Sequence, residues 1–162
     1  MRHRVRQFLI SLAVLAMCAC HSSTAPASLP GGQTGTVTAT IDGKSWVATS
    51  LQAKQGGSVV SIQALGALSG GTTIISLVIP STEGTYPIGP VAGGNGRQSM
   101  TLAEGAGSLW SADATSGGGS ITLTSISATR AVGTYFMTVD PILITGATGT
   151  RVITSGVFDV NF

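Results

Sequence analysis

The sequence predicts an all-β fold, a single antiparallel β-sandwich or small β-barrel of about eight to ten short strands. Apolar and polar side chains alternate along the last third of the chain, as they do in a strand with one buried face. β-Branched residues are frequent between clusters of glycine, and no stretch combines a helical period with capping residues. We place this predicted domain at residues 36–162.

The first 19 residues are typical of a bacterial lipoprotein signal peptide. Met1 to Arg6 is cationic, and the apolar run over residues 8–17 is too short to span a bilayer as a helix. The segment that ends at Cys20 resembles a lipobox, in which a small residue, here Ala19, precedes the cysteine that is lipidated. We therefore expect lipidation at Cys20, with Cys18 as the other candidate and an ordinary signal peptide as the alternative.

Residues 20–35 are predicted to be a flexible linker behind the lipidated cysteine, because they are rich in Ser, Thr, Ala, Pro and Gly and lack a hydrophobic period. By random-coil scaling, such a linker spans roughly 20 Å. Two or three acyl chains would hold the protein on a membrane essentially permanently. Because the residue after Cys20 is His21 and not Asp, we expect an exported protein of the cell envelope, anchored in the outer membrane.

The domain is predicted to open with a β-hairpin. Residues 36–41 alternate threonine with apolar residues, and Asp42-Gly43 tolerates the positive φ angles of a type I′ turn. Trp46, on the second strand, is expected to be buried and to need a partner for its indole N–H. The complete set of predicted strands is 36–41, 44–49, 58–64, 72–79, 84–88, 98–103, 108–112, 120–125, 132–139 and 152–162.

The last three predicted strands form one antiparallel meander, with turns at residues 129–130 and at Asp140-Pro141 through Gly149. Strand 132–139 is expected to be central, because neither of its faces is polar enough to be fully wet. In the final strand, we expect the face with both phenylalanines to be the core face. That face comprises Val152, Thr154, Gly156, Phe158, Val160 and Phe162.

The composition argues against several functions. Beyond the leader, five basic residues face six acidic ones, so no basic patch suggests a nucleic acid partner. The two histidines are His3 and His21, and both cysteines lie in the leader region, so the domain lacks the parts of His- or Cys-based metal sites and catalytic triads. We expect no catalytic residues, no metal and no cofactor, and hence no enzyme.

Three binding hypotheses remain for the domain. It is a binding or structural module that meets an envelope protein through its loops, a lipocalin-like barrel around a small apolar ligand, or a carbohydrate-binding module. The candidate ligand-binding residues are Trp110, as a stacking platform for a glycan, and Asn95 and Arg97, in the most polar long loop.

Several short motifs, in their order and spacing, resemble the DUF6252-like family of bacterial lipoproteins of unknown function. The motifs are Ala39-Thr40-Ile41-Asp42-Gly43-Lys44-Ser45-Trp46, Gly84-Thr85-Tyr86-Pro87-Ile88, Gly119-Ser120-Ile121-Thr122-Leu123-Thr124, Gly133-Thr134-Tyr135-Phe136 and Thr154-Ser155-Gly156-Val157-Phe158-Asp159-Val160. The resemblance covers nearly all of the mature chain and implies an exported β domain. It implies no known activity, and no functional residue can be transferred from it.

Overall fold

The computed structural model describes residues 33–90, 97–105 and 107–162. The described residues form ten antiparallel strands and one 3₁₀ turn, Leu143–Thr145, which confirms the all-β class. The strands are β1 (Gly35–Ile41), β2 (Lys44–Gly56), β3 (Val59–Leu68), β4 (Gly71–Pro80), β5 (Gly84–Ile88), β6 (Ser99–Glu104), β7 (Ser108–Ala112), β8 (Gly118–Ile126), β9 (Arg130–Pro141) and β10 (Arg151–Asn161). The predicted leader and most of the predicted linker lie outside the described residues.

Eight of these strands close into a barrel in the order β10-β1-β2-β3-β4-β6-β7-β9, and β9 pairs with β10 to complete the ring. Strand β8 pairs with β9 on the edge opposite β10, and β5 pairs with β8. The pairing of β7 with β9 is short, with Trp110 opposite Pro141 and Ser111 opposite Asp140. The structure therefore decides between the two predicted architectures in favour of the barrel.

The predicted hairpin and meander are both confirmed. Asp42 and Gly43 have φ angles of 47° and 79°, the positive values that a type I′ turn requires at both central residues. Strand β9 is central in the meander, between β8 and β10. The prediction that neither face of β9 is fully wet was wrong, because its outward Phe136 is 59% exposed on a side of the barrel that no described second layer covers.

The predicted core face of β10 was correct for its second half and wrong for its first half. Gly156, Phe158 and Val160 are buried, but Ile153 is buried in place of Val152, which is 46% exposed. The cause is a β-bulge between Ile153 and Gly156, where Ser155 has a φ angle of 51°. A bulge inserts one extra residue and so exchanges the two faces of a strand.

Strand β2 is much longer than its predicted range of 44–49. A second register shift, between Ala48 and Ser50, interrupts the alternation of its side chains. The strand continues to Gly56 and pairs first with β1 and then with β3. Trp46 is buried as predicted, and its indole N–H has no hydrogen-bond partner among the described residues.

Two aromatic rings of the core lie against glycines of the neighbouring strand. Tyr135 of β9 is opposite Gly156 of β10, and Phe158 of β10 is opposite Gly133 of β9. A Cβ atom at Gly156 would lie 2.6 Å from three atoms of the Tyr135 ring. The two rings stack with centroids 6.5 Å apart, so the glycines make room for a continuous aromatic layer inside the barrel.

We predict that Gly156→Ala lowers the free energy of unfolding by about 1–3 kcal/mol, because the added methyl group overpacks the Tyr135 ring. Urea unfolding followed by circular dichroism measures the change. The matched control is Gly56→Ala, where no atom lies within 4 Å of the added Cβ. Equal stability of the two variants would contradict the prediction, and replacing Tyr135 by leucine should reduce the cost of Gly156→Ala.

Candidate functional site

The two ends of the barrel differ in what they carry. The turns β1–β2, β3–β4 and β6–β7 and the connection from β9 to β10 lie together at one end, which we call the mouth. The β2–β3 and β8–β9 turns lie at the opposite end, which we call the base. Both ends of the described chain meet at the base, where Asn161 N–H donates to the carbonyl of Thr34 at 2.9 Å and Phe162 N–H donates to the carbonyl of Thr129 at 3.0 Å.

The inward-facing positions change from apolar to polar as the strands approach the mouth. Because inward positions recur at every second residue, Thr73 continues the buried row of Ile75, Leu77 and Ile79 on β4. In the same way, Glu104, Ser108 and Arg151 are the last inward positions of β6, β7 and β10 before the mouth. These polar residues line a cleft of about 470 Å³, the mouth cleft.

The guanidinium of Arg151 joins three elements at the mouth. Its Nη1 donates to Asp42 Oδ2 at 2.6 Å in the β1–β2 turn, and its Nη2 donates to Glu104 Oε2 at 2.5 Å at the end of β6. The carbon atom of the guanidinium lies 4.8 Å from the centre of the Trp110 ring, within range of a cation–π contact. All three charged side chains are partly buried, so their interactions are less screened than those of surface ion pairs.

Two polar atoms of this network have no hydrogen-bond partner within the described part of the chain. They are Glu104 Oε1, an acceptor, and Arg151 Nε, a donor, and both are buried. The same two side chains are already bonded to each other through Arg151 Nη2 and Glu104 Oε2. An unpaired buried polar atom costs about 1–3 kcal/mol. The network thus has an unsatisfied donor and an unsatisfied acceptor on two side chains that are bonded to each other.

Trp110 lies in the wall of the mouth cleft. It is 3% exposed, and its indole N–H donates to the carbonyl of Gly149 at 2.8 Å. The Arg151 guanidinium lies over its ring, so the ring is not open to solvent as a stacking platform. Trp110 thus lies at a cleft, but it does not have the expected geometry of an open ring on which a glycan could stack.

The other predicted site residues do not join Trp110. Arg97 is exposed, and its Nη1 donates to Ser58 Oγ at 2.7 Å in the β2–β3 turn, which lies at the base. Asn95 and the predicted lipidation site Cys20 lie outside the described residues. The structure thus places Arg97 and Trp110 at opposite ends of the barrel.

Sequence reasoning missed the residues that form the network at the mouth. One usable signal was present, because Glu104 follows Met100 and Leu102 in an alternating strand and therefore puts a charge at an inward position. Arg151 gave no comparable signal, since the bulge in β10 hides which face it occupies. The third partner, Asp42, was interpreted as a turn residue only.

The pKa of the Asp42 carboxyl is displaced from its ordinary value. Burial raises its pKa, but hydrogen bonds from Val152 N–H and from Arg151, together with the charges of Arg151 and Lys44, outweigh burial. The pKa of Asp42 therefore lies below its ordinary value of 3.8. The ionised form is the one that the folded protein stabilises.

Residues 33–159 match the family described as a domain of unknown function, DUF6252. The chain belongs to the DUF6252 family. This confirms the resemblance drawn from the sequence motifs, and the family description assigns no activity. No curated protein and no solved structure matches the chain.

Two further observations concern the described part of this DUF6252 protein. It contains no group of three His, Cys, Asp or Glu side chains that could hold a metal ion. None of its helical segments has the length and apolar character needed to cross a bilayer.

We predict that Asp42→Asn lowers the free energy of unfolding by about 1 kcal/mol at pH 7, because it removes the charge that faces Arg151. Since the pKa of Asp42 is depressed in the folded state, the stabilisation is present above pH 3.8 and is lost as the pH falls through the folded-state pKa. The difference between the variant and the wild type should therefore shrink in acid.

Urea unfolding at pH 7 and at about pH 3 tests this dependence. Asparagine retains the turn, because it tolerates positive φ as well as aspartate does. Glu83→Gln, which lies away from the mouth, is the control and should change stability by less than about 0.5 kcal/mol. A pH-independent cost of Asp42→Asn would contradict the assignment.

Proposed function

We propose that this DUF6252 protein is an exported, lipid-anchored lipoprotein of the outer membrane whose β-barrel is a non-catalytic binding module. The anchor rests on the sequence, in which a cationic segment and a short apolar run lead to Cys20. The absence of histidine and cysteine from residues 36–162 supports a role without catalysis. The binding site in this proposal is the mouth cleft.

The placement of the two barrel ends supports this assignment most directly. Thr34 lies at the base, where it bonds to Asn161, so the segment that leads back to Cys20 joins the barrel at the base. The mouth cleft lies at the other end. A protein tethered in this way presents the mouth away from the point of attachment, where an envelope partner or ligand can reach it.

Binding at the mouth is favoured over an apolar ligand inside the barrel. Large side chains such as Trp46, Phe158 and Met137 fill the interior and are almost completely buried. The described cleft at the mouth is bordered by Thr, Ser, Glu and Arg side chains and is open to solvent. Barrel mouths are common places for ligand sites, and a few polar groups in a concave site give specificity.

We predict that Cys20→Ser abolishes incorporation of radiolabelled palmitate and releases the protein from the membrane fraction, because the acylated thiol is lost. Metabolic labelling and fractionation of cells that express the full chain measure both effects. Cys18→Ser is the matched control and should keep the label. A label lost only in Cys18→Ser would transfer the anchor to that residue, and a wild type without label would refute the anchor.

We predict that Thr148→Trp prevents the protein from retaining its envelope ligand, because Thr148 is exposed at the rim of the mouth cleft and a bulky ring there obstructs it. The measurement is cross-linking in intact cells followed by purification of the anchored protein. Ala128→Trp, exposed in the β8–β9 turn at the base, is the control. Adducts that are retained equally by both variants would exclude the mouth as the binding site.

A further inference from the structure

We infer that the mouth cleft binds a neutral, hydroxyl-rich ligand, a saccharide. This inference rests on the proposed function, since it takes the mouth as the binding site and names the class of ligand. It follows from the charges, the unpaired polar atoms and the lining of the cleft.

The charges at the mouth are already matched to one another. Arg151 bonds to both Asp42 and Glu104, and Lys44, next to the same turn, donates to Ser69 Oγ at 3.0 Å. The charges of these two carboxylates and two cationic groups sum to zero. A phosphate or carboxylate ligand would compete with Asp42 and Glu104 for Arg151, and a cation would compete with Arg151 for the two carboxylates. A neutral polar ligand carries no charge that competes with these pairs.

The unpaired atoms at the mouth match a hydroxyl group. Arg151 Nε can only donate and Glu104 Oε1 can only accept, and they belong to side chains that are already bonded to each other. A hydroxyl both accepts and donates, so hydroxyl groups can satisfy both kinds of atom. A carboxylate or phosphate oxygen can only accept, and an ammonium can only donate. Both atoms are shielded from solvent, so the hydroxyl reaches them after a rotation of Glu104.

The lining of the cleft extends the same chemistry. Thr72, Thr73, Ser108 and Thr148 border it with hydroxyl groups, and Leu68 and Trp110 add apolar surface. Thr73 is 1% exposed and continues an inward row of aliphatic residues, where valine would fill the same space. Its hydroxyl is therefore not required for packing. Saccharides present hydroxyls and C–H faces together, and the volume of about 470 Å³ suits a small molecule.

Isothermal titration of the lipidated protein, purified from membranes in detergent, tests the inference. The neutral probes are maltose, cellobiose and diacetylchitobiose, and the charged comparators are glucuronic acid and glucose 6-phosphate. We expect at least one neutral disaccharide to bind and the charged comparators not to bind. Thr73→Val and Ser108→Ala should each weaken that binding by about threefold to tenfold, the loss of one hydrogen bond.

The control variant is Thr101→Val, which removes a hydroxyl from an outward position of β6 and should leave affinity unchanged. Binding of the charged comparators alone, or equal weakening by Thr101→Val, would overturn the inference. If no saccharide binds while Thr148→Trp still abolishes the cross-linked adducts, the saccharide class is wrong and the proposed function stands. If no saccharide binds and Thr148→Trp also retains the cross-linked adducts, the mouth is not a binding site. Competition between the bound disaccharide and its polysaccharide distinguishes a free sugar from a glycan chain.

Discussion

The barrel depends on a reciprocal contact between aromatic rings and glycines where β9 meets β10. Tyr135 and Phe158 each lie opposite a glycine of the other strand, so both rings turn inward without forcing the strands apart. The hydroxyl of Tyr135 donates to the carbonyl of Thr38 at 3.2 Å, which connects the aromatic layer to β1, the neighbour of β10 on its other side. One layer therefore holds together the three strands at which the first and last parts of the domain meet.

This layer also determines where the barrel has open space. Because the rings occupy the space above the glycines, the many small inward residues of the sequence do not leave an empty lumen. Burial of the Tyr135 ring raises the pKa of its hydroxyl, which stays protonated and serves the fold as a donor. The concave polar surface is displaced to the mouth, where the inward rows end in Thr73, Glu104 and Arg151.

The sequence was informative wherever structure is decided within a few residues. The Asp42-Gly43 turn and the meander follow from local turn chemistry and alternation. The bulge at Ser155 does not, because it depends on pairing with β9, and it reversed the predicted face at Val152. The network at the mouth could not be predicted from the sequence for a related reason. Glu104 and Arg151 are 47 positions apart and meet only when the barrel closes. Family membership assigns neither an activity nor a site.

The network at the mouth fits the proposed binding site better than it fits a device for stability. Partly buried ion pairs contribute little net stability once desolvation is counted, and this one leaves a donor and an acceptor unpaired. A well-packed apolar residue in place of Arg151 would avoid that cost. What the network does supply is rigidity, because Arg151 fixes the β1–β2 turn, the end of β6 and the ring of Trp110 in one arrangement. A cleft whose walls are already ordered would lose less entropy on binding a ligand, and under the proposed function this is a reason to retain a costly cluster at the mouth.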